Sequence, residues 1–274
     1  MKSIALGQYY PSDSIIHRLD GRTKILLSTI FIVSIFFCKS LASFSFLLLL
    51  SLSVVLISKI PLKIVLRSLR AVIFILIFTF IINVFLTKGE GEPLVAFHRI
   101  KIYEEGIWHA LFIAVRILCL ILASSIFISY TTTPIQLTYS IESLLSPLKK
   151  IKVPVHDFAM MMSIVLRFIP ALSEETEKIM TAQKARGADF TSGSLLQRAR
   201  ALIPVLVPLF VSAFRRSDEL ATAMECRCYH GGTGRTRMTI TKMKAKDFLA
   251  LFLMIAAVAL MISLNSVPFG FVMQ

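Results

Sequence analysis

Apolar residues fall along this chain in long unbroken runs, with the charged residues packed between them. The first block covers 25–57 and is interrupted at Cys38-Lys39-Ser40. It fits two helices of about 14 and 17 residues at 1.5 Å per residue, a short-legged hairpin with Lys39 at the turn. Pro61 closes the second leg, and Lys59, Lys63, Arg67 and Arg70 gather around it. Further spans are predicted over 71–87, 107–129 and 248–264. Between the second and third spans counted after that hairpin, the basic insertion 130–246 intervenes. Ahead of it, the stretch from Val95 to Tyr103 alternates enough for a short β-hairpin. Continuous runs point to α-helical spans and away from a β-barrel, because a backbone facing lipid must satisfy its own hydrogen bonds. The expected fold class is an all-α polytopic membrane protein with about five transmembrane helices.

The insertion 130–246 carries 17 Lys and Arg. Two apolar pieces lie inside it, 158–169 and 201–214. The second has Arg198 and Arg200 before it and Arg215 and Arg216 after it, and contains Pro204 and Pro208. Basic flanks at both ends and two helix-breaking prolines predict a segment lying at the interface or under the bundle. The expected organisation is a cytoplasmic N-terminal segment 1–24, spans in 25–129, a cytoplasmic or interfacial helical region 130–246, and a final span with the C-terminus in 247–274.

Composition agrees: 56% of the 274 residues are hydrophobic, and the mean hydropathy is +0.77. The formal charge of +14 reads as positive-inside topology and attraction to anionic lipid, not as nucleic-acid binding, which would want a soluble basic module. The first apolar run follows about two dozen mostly polar residues without a small-residue cleavage site, so no signal peptide is expected. Cys38, Cys119, Cys226 and Cys228 form no disulfide framework, and the first two sit in apolar runs as small buried hydrophobes. Arg116 falls near mid-membrane, where it is costly unless paired or facing protein; it reads as a structural arginine, snorkelling or contacting a partner subunit, ahead of an ion pathway.

Two related helix endings stand out in the insertion. Ala182-Gln-Lys-Ala185-Arg186-Gly187 closes a helix predicted to start near Pro170, with Glu174, Glu175 and Glu177 early and Lys178 and Lys184 late. That charge order suits the helix dipole, and Gly187 suits a left-handed C-cap. Ala223-Met-Glu-Cys226-Arg227-Cys228 repeats the pattern, with Asp218 and Glu219 early. The arginines are 41 residues apart (227 minus 186). Helical spacing puts Ile179, Ala182, Gln183 and Arg186 on one face, and Leu220, Ala223, Met224 and Arg227 on the other helix's equivalent face. A small residue before each arginine lets a partner's backbone approach. The guanidinium can then fork onto a carboxylate or exposed carbonyls.

With these endings, the segment resembles the transmembrane (T) component of energy-coupling factor transporters, the family that includes the cobalt-transport membrane protein. Its hallmark is a pair of Ala-Arg-Gly-type motifs on cytoplasmic coupling helices. Ala185-Arg186-Gly187 matches, whereas Cys226-Arg227-Cys228 keeps the arginine and departs at the glycine. The following Tyr229 to Thr236 is similar to the family's continuation. Ser14-Ile-Ile-His17-Arg-Leu-Asp20-Gly21-Arg22-Thr-Lys24 also fits, with Gly21 where the family usually has proline, as do Thr131-Thr-Thr-Pro134 and Leu166-Arg167-Phe-Ile-Pro170.

The resemblance implies a non-catalytic subunit of an ATP-driven importer in a prokaryotic cell membrane. It implies docking of two ABC-type ATPases, which bind the ATP and Mg, and of a small substrate-binding membrane subunit; this chain would hold no cofactor of its own. Substrate choice then lies with that other subunit, so cobalt, nickel, biotin, thiamine, riboflavin and other vitamins are all compatible. Arg186, in the fuller motif, is expected to fit its groove better than Arg227.

Competing readings are weaker on the residues. Cys226-x-Cys228-x-His230 lacks the four ligands and wider spacing of a zinc site. Gly231-Gly-Thr-Gly-Arg-Thr236 lacks the Gly-Lys-Ser/Thr ending of a phosphate loop. A membrane-embedded metal-dependent enzyme would have to be assembled from His109, His156, Asp157 and Glu142, which form no recognised catalytic spacing. A self-contained secondary transporter would rest on Arg116 and Asn83 alone.

Overall fold

The computed structural model describes residues 9–87, 95–97, 100–231 and 242–265. The phosphate-loop reading of 231–236 therefore falls, apart from Gly231, outside the described residues. The chain divides into two compact units, a larger one from Gly7–Ser140 and Thr241–Gln274 and a smaller one from Ile141–Ile240.

The larger unit contains α1 (Gly21–Phe36), α2 (Leu41–Ser58), α3 (Leu62–Leu86), a small antiparallel ribbon β1 (Val95–Phe97) and β2 (Ile100–Ile102), α4 (Glu104–Ser124) and, after the smaller unit, α8 (Ala245–Asn265). α4 runs on as a π-helical turn, Ser125–Tyr130. α5 (Pro134–Leu144) then carries the chain onward. The predicted hairpin and ribbon are both present. Asp20 caps α1 by accepting from the Arg22 amide, and Ser40 caps α2 by accepting from the Ala42 amide. Lys59 takes a left-handed conformation (φ 54°) and ends α2 just ahead of Pro61.

Phe31, Ile35, Leu47, Phe112, Cys119 and Met261 fill the core between α1, α2, α4 and α8. Cys38 and Cys119 are buried within it, as the sequence predicts. Serines line the same interfaces. Ser28, Ser34, Ser43, Ser51 and Ser58 are all buried, and Ser43 donates to the Met261 carbonyl across to α8 at 3.1 Å. Small polar side chains let helices approach closely where lipid supplies no hydrophobic drive. Outward, Leu49, Leu56, Phe74 and Phe78 are exposed, an arrangement that suits lipid. Arg116 lies with its guanidinium 5.5 Å from the Phe44 ring centroid and donates to the Cys38 carbonyl at 3.4 Å. Its role is to brace the α1–α2 turn against α4. Asn83 is committed to its own helix, donating to the Thr79 carbonyl at 2.8 Å.

The segments 14–24 and 131–134 meet here. Lys24 is buried, and its ammonium donates to the Thr131 carbonyl at 2.6 Å and the His17 carbonyl at 3.2 Å. His17 Nε2 donates to the Tyr10 carbonyl (3.0 Å), which leaves Nδ1 to accept from the Ser14 hydroxyl (2.7 Å). Burial holds that imidazole below the usual histidine range, with the Lys24 charge adding to the effect. Asp247, also buried, accepts from the amides of Asp20 (2.8 Å) and Lys244 (2.7 Å), tying the start of α8 to the start of α1. Gly21 matters for a steric reason: a Cβ there would overlap the Ser140 hydroxyl and lie 3.2 Å from the Ser140 Cβ. The departure from the family's proline coincides with that close approach.

The smaller unit consists of a 3₁₀ turn (Ser146–Ile151), α6 (Val155–Ala185) and α7 (Leu195–Cys226). The structure corrects two expectations here. The helix ending at Arg186 begins at Val155, with Pro170 inside it, and α7 passes unbroken through Pro204 and Pro208. Proline removes a donor but does not end a helix whose freed carbonyls find another partner. Pro208 cannot bond back to the Pro204 carbonyl, and the Gln183 side-chain amide of α6 donates to that oxygen instead, at 3.4 Å.

By length and apolar content, five helical segments are long enough to cross a membrane: Leu41–Ser58, Glu104–Tyr130, Val155–Ala185, Leu196–Cys226 and Ala245–Asn265. α3 makes a sixth if its two parts, bent by 54°, count as one span. The number five agrees with expectation, but the membership differs. α1, at 16 residues, is too short for that test, and α6 and α7 enter because their apolar pieces belong to helices of 31 and 32 residues.

Candidate coupling site at two helix ends

Both arginines stand at the same place in the same local fold. Arg186 is the C-cap of α6 and Arg227 the C-cap of α7. After Arg186, Gly187 is left-handed (φ 89°). Its amide bonds to the Lys184 carbonyl, and the Ala188 amide bonds to the Gln183 carbonyl, each at 3.0 Å. After Arg227, Cys228 is left-handed (φ 56°), its amide bonds to the Glu225 carbonyl at 2.9 Å, and the Tyr229 amide bonds to the Met224 carbonyl at 3.0 Å. These paired bonds define a Schellman ending in both cases.

The ending explains what each motif position does. The left-handed residue turns the chain sharply away, so the arginine remains at the tip of its helix. Ala185, Arg186 and Gly187 are all exposed, as are Cys226, Arg227 and Cys228. Among the described residues, neither guanidinium has an ion-pair or hydrogen-bond partner. One turn back, Ile179, Gln183, Leu220 and Met224 are half-buried. Ala182 and Ala223, on the same predicted faces, are exposed, so each face is only partly covered.

Cys228 occupies the glycine position at a cost. A Cβ in the left-handed region is disfavoured by about 1–2 kcal/mol, and at Gly187 only the backbone angle matters, because a Cβ there would meet nothing within 4 Å. Cys228→Gly is therefore expected to stabilise the end of α7 by about 1 kcal/mol. Slower hydrogen exchange at the Cys228 and Tyr229 amides would report it; unchanged or faster exchange would contradict the strain assignment.

The two tips are well separated. Gln183, near the end of α6, touches Pro204 of α7, and an Arg216–Glu175 ion pair at 3.6 Å forms a second point of contact. Arg227 lies 23 residues beyond Pro204 (227 minus 204), on the order of 35 Å along a helix. One small pocket cannot grip both arginines. The connection after Arg186 is itself ordered: Asp189 accepts from the Ser192 and Thr191 hydroxyls and from both their amides. The Ser192 hydroxyl foremost, then those amides and the Thr191 hydroxyl, hold this exposed carboxylate well below the usual range. Ser194 and Gln197 then form a reciprocal capping box that starts α7.

The remaining candidate residues do different work. His156 Nδ1 lies 2.9 Å from Glu142 Oε1, an ion pair or hydrogen bond between α6 and α5, while His109 belongs to α4. Among the described residues, no three His, Cys, Asp or Glu side chains gather as metal ligands. Three features escaped the sequence reading: the Lys24–Thr131 bond, the Gln183–Pro204 bond and the left-handed Cys228. A signal existed for the second, because prolines four apart always orphan the first one's carbonyl. A signal for the third lay in aligning Cys228 with Gly187.

Comparison with known proteins bears on this site. A family model described as cobalt transport protein, CbiQ, matches residues 12–240. The energy-coupling factor transporter transmembrane protein EcfT of Clostridium kluyveri is 48% identical over 91% of this chain and 92% of its own. That of Ruminiclostridium cellulolyticum is 51% identical over 87% of this chain and 88% of its own. The Bacillus subtilis protein of the same name is 43% identical over 97% of this chain and the whole of its own. A match across both helix ends, with relatives aligned over nearly their full lengths, shows that this multi-pass membrane protein belongs to the CbiQ/EcfT family, the transmembrane components of energy-coupling factor transporters.

Proposed function

We propose that the chain is the mechanical link of an ATP-driven importer, with Arg186 docking into one ABC-type ATPase subunit and Arg227 into a second. The observation that carries this reading is the repeated Schellman ending, which presents two exposed guanidiniums, without partners among the described residues, in the same local geometry. Equivalent tips on the order of 35 Å apart suit two copies of one groove better than a single ligand. Each guanidinium would fork onto a carboxylate or helix-end carbonyls of its ATPase. The ATPases would hold the ATP and Mg and perform the hydrolysis.

Closure of the ATPase pair on ATP would change the spacing of the two grooves, and helices α6 and α7 would transmit that change to a small substrate-binding membrane subunit. The energetic basis is a shift between two states through differential contacts. The cargo class is a vitamin or a transition-metal ion chosen by that subunit. In this reading the arginine-bearing region and the N-terminus face the cytoplasm.

Affinity purification of the tagged chain from native membranes in mild detergent tests the assignment. Two ATPase polypeptides per chain and one small hydrophobic protein are expected to copurify. Recovery of the chain alone, or robust ATPase activity from the isolated chain, would overturn it.

A further inference from the structure

The turn between α5 and α6 has a composition that neither the coupling motifs nor the helical core accounts for. Over Ser143 to His156 there is no acidic residue, and Lys149, Lys150 and Lys152 are all exposed. Interleaved with them, Leu148, Ile151 and Val153 are exposed to 38%, 77% and 42%. Such apolar side chains on a turn would ordinarily fold back onto the nearest core.

Here the backbone prevents it. The Leu148 amide bonds to the Leu145 carbonyl, the Lys152 amide to the Lys149 carbonyl and the Val153 amide to the Leu148 carbonyl. Lys152 is left-handed (φ 63°), closing the 3₁₀ turn. Glu142 and His156, paired at 2.9 Å, clasp the two ends of the segment. The turn is thus a braced tip that displays three apolar side chains among three ammonium groups. Its apolar surface continues onto α6, where Phe158 and Met161 are more than half exposed.

From this juxtaposition we propose that the α5–α6 turn is a docking surface for the anionic leaflet of the membrane, with Leu148, Ile151 and Val153 entering the acyl boundary and the lysines meeting lipid phosphates. Apolar side chains set among basic ones are the chemistry of an interfacial anchor. Each lysine near an anionic surface contributes roughly fivefold to partitioning. A protein partner would want the ammonium groups opposed by carboxylates at fixed positions; a fluid array of phosphates needs no such register. The turn is continuous with the exposed apolar side chains of Phe158 and Met161 on α6, so a lipid surface would cover both together. The proposal is independent of the arginine tips.

The chain has one tryptophan, Trp108, which permits a direct test. Full-length Trp108→Phe/Ile151→Trp protein would be reconstituted into vesicles of phosphatidylcholine alone or mixed with phosphatidylglycerol, with and without brominated acyl chains. Blue-shifted emission and strong bromine quenching are expected in the mixed vesicles. Both should be reduced in phosphatidylcholine alone and on adding Lys149→Gln, Lys150→Gln and Lys152→Gln. Hydrogen exchange of the wild-type turn, slower in phosphatidylglycerol-containing vesicles, provides a readout free of substitutions. Solvent-like emission without quenching in both vesicles would overturn the proposal. So would quenching indifferent to lipid charge and to the lysines, or shielding that arises only once ATPase subunits are added.

Discussion

Charge reversal at either arginine tip, Arg186→Glu or Arg227→Glu, is expected to abolish substrate uptake while leaving the chain in the membrane at the wild-type level. Both side chains are exposed and, among the described residues, bonded to nothing. Substitution there should move stability by no more than about 0.5 kcal/mol. Docking is a different matter. Truncating one partner of a desolvated charge pair costs roughly 2–5 kcal/mol, and a glutamate adds repulsion against the acceptors that had met the guanidinium. A loss of at least about thirtyfold in ATPase association follows from the lower end of that range. Uptake by cells, together with recovery of the ATPases on the tagged chain, measures both effects. Wild-type uptake in both single variants would remove the docking role. Lysine at either position should restore only part of the function, because an ammonium cannot reproduce the planar fork.

The ranking of the two tips changes in character once the backbone is seen. The Gly-to-Cys departure suggested a poorer fit at Arg227. Yet Cys228 adopts the same left-handed conformation as Gly187 and completes the same pair of hydrogen bonds. The difference between the tips is therefore one of local stability more than of geometry. On that basis Cys228→Gly should firm the end of α7 without redirecting Arg227.

Loss of the buried lysine is expected to destabilise the larger unit strongly. Lys24→Met keeps the side-chain length but strips the donor from two carbonyls, those of Thr131 and His17. A buried acceptor left without a partner costs about 1–3 kcal/mol, so the pair should cost roughly 3 kcal/mol. Asp247→Ala should cost a similar amount, by orphaning the Asp20 and Lys244 amides. For a chain of this size about 3 kcal/mol corresponds to a fall of roughly 10 °C in the thermal midpoint. Size-exclusion recovery after heating in detergent would follow it. An unchanged midpoint for Lys24→Met would show that the Lys24 bonds contribute nothing net.

Where the sequence reading succeeded and where it failed follows from the range of the interactions involved. The end of α2 was legible because its signal is local, Pro61 standing just beyond it, whereas Asp20 and Ser40 were not read as caps, and α1 and α3 begin at Gly21 and Leu62, ahead of the spans expected from 25 and 71. The arginine motifs were legible for the same reason, since a Schellman ending is written in about six consecutive residues. Helix α7 was misread because proline's local penalty is only half of the balance. Its other half is a donor supplied by Gln183, on a different helix and 21 residues away. Helix α6 was also misread at Pro170, where the apolar piece alone suggested a short element and the full helix runs to 31 residues.

By itself, then, the sequence determined the membrane class, the helical architecture and the identity of the two arginine tips, because apolar runs and helix-end signals act over one or two turns. Only the tertiary structure decided that α6 and α7 are continuous, that the tips lie on the order of 35 Å apart, and that Lys24 binds residues 14–24 to residues 131–134. Those features rest on bonds between groups 21 to 107 residues apart. No pattern along the chain encodes such a meeting. It exists only after packing has brought a side-chain donor to a distant carbonyl.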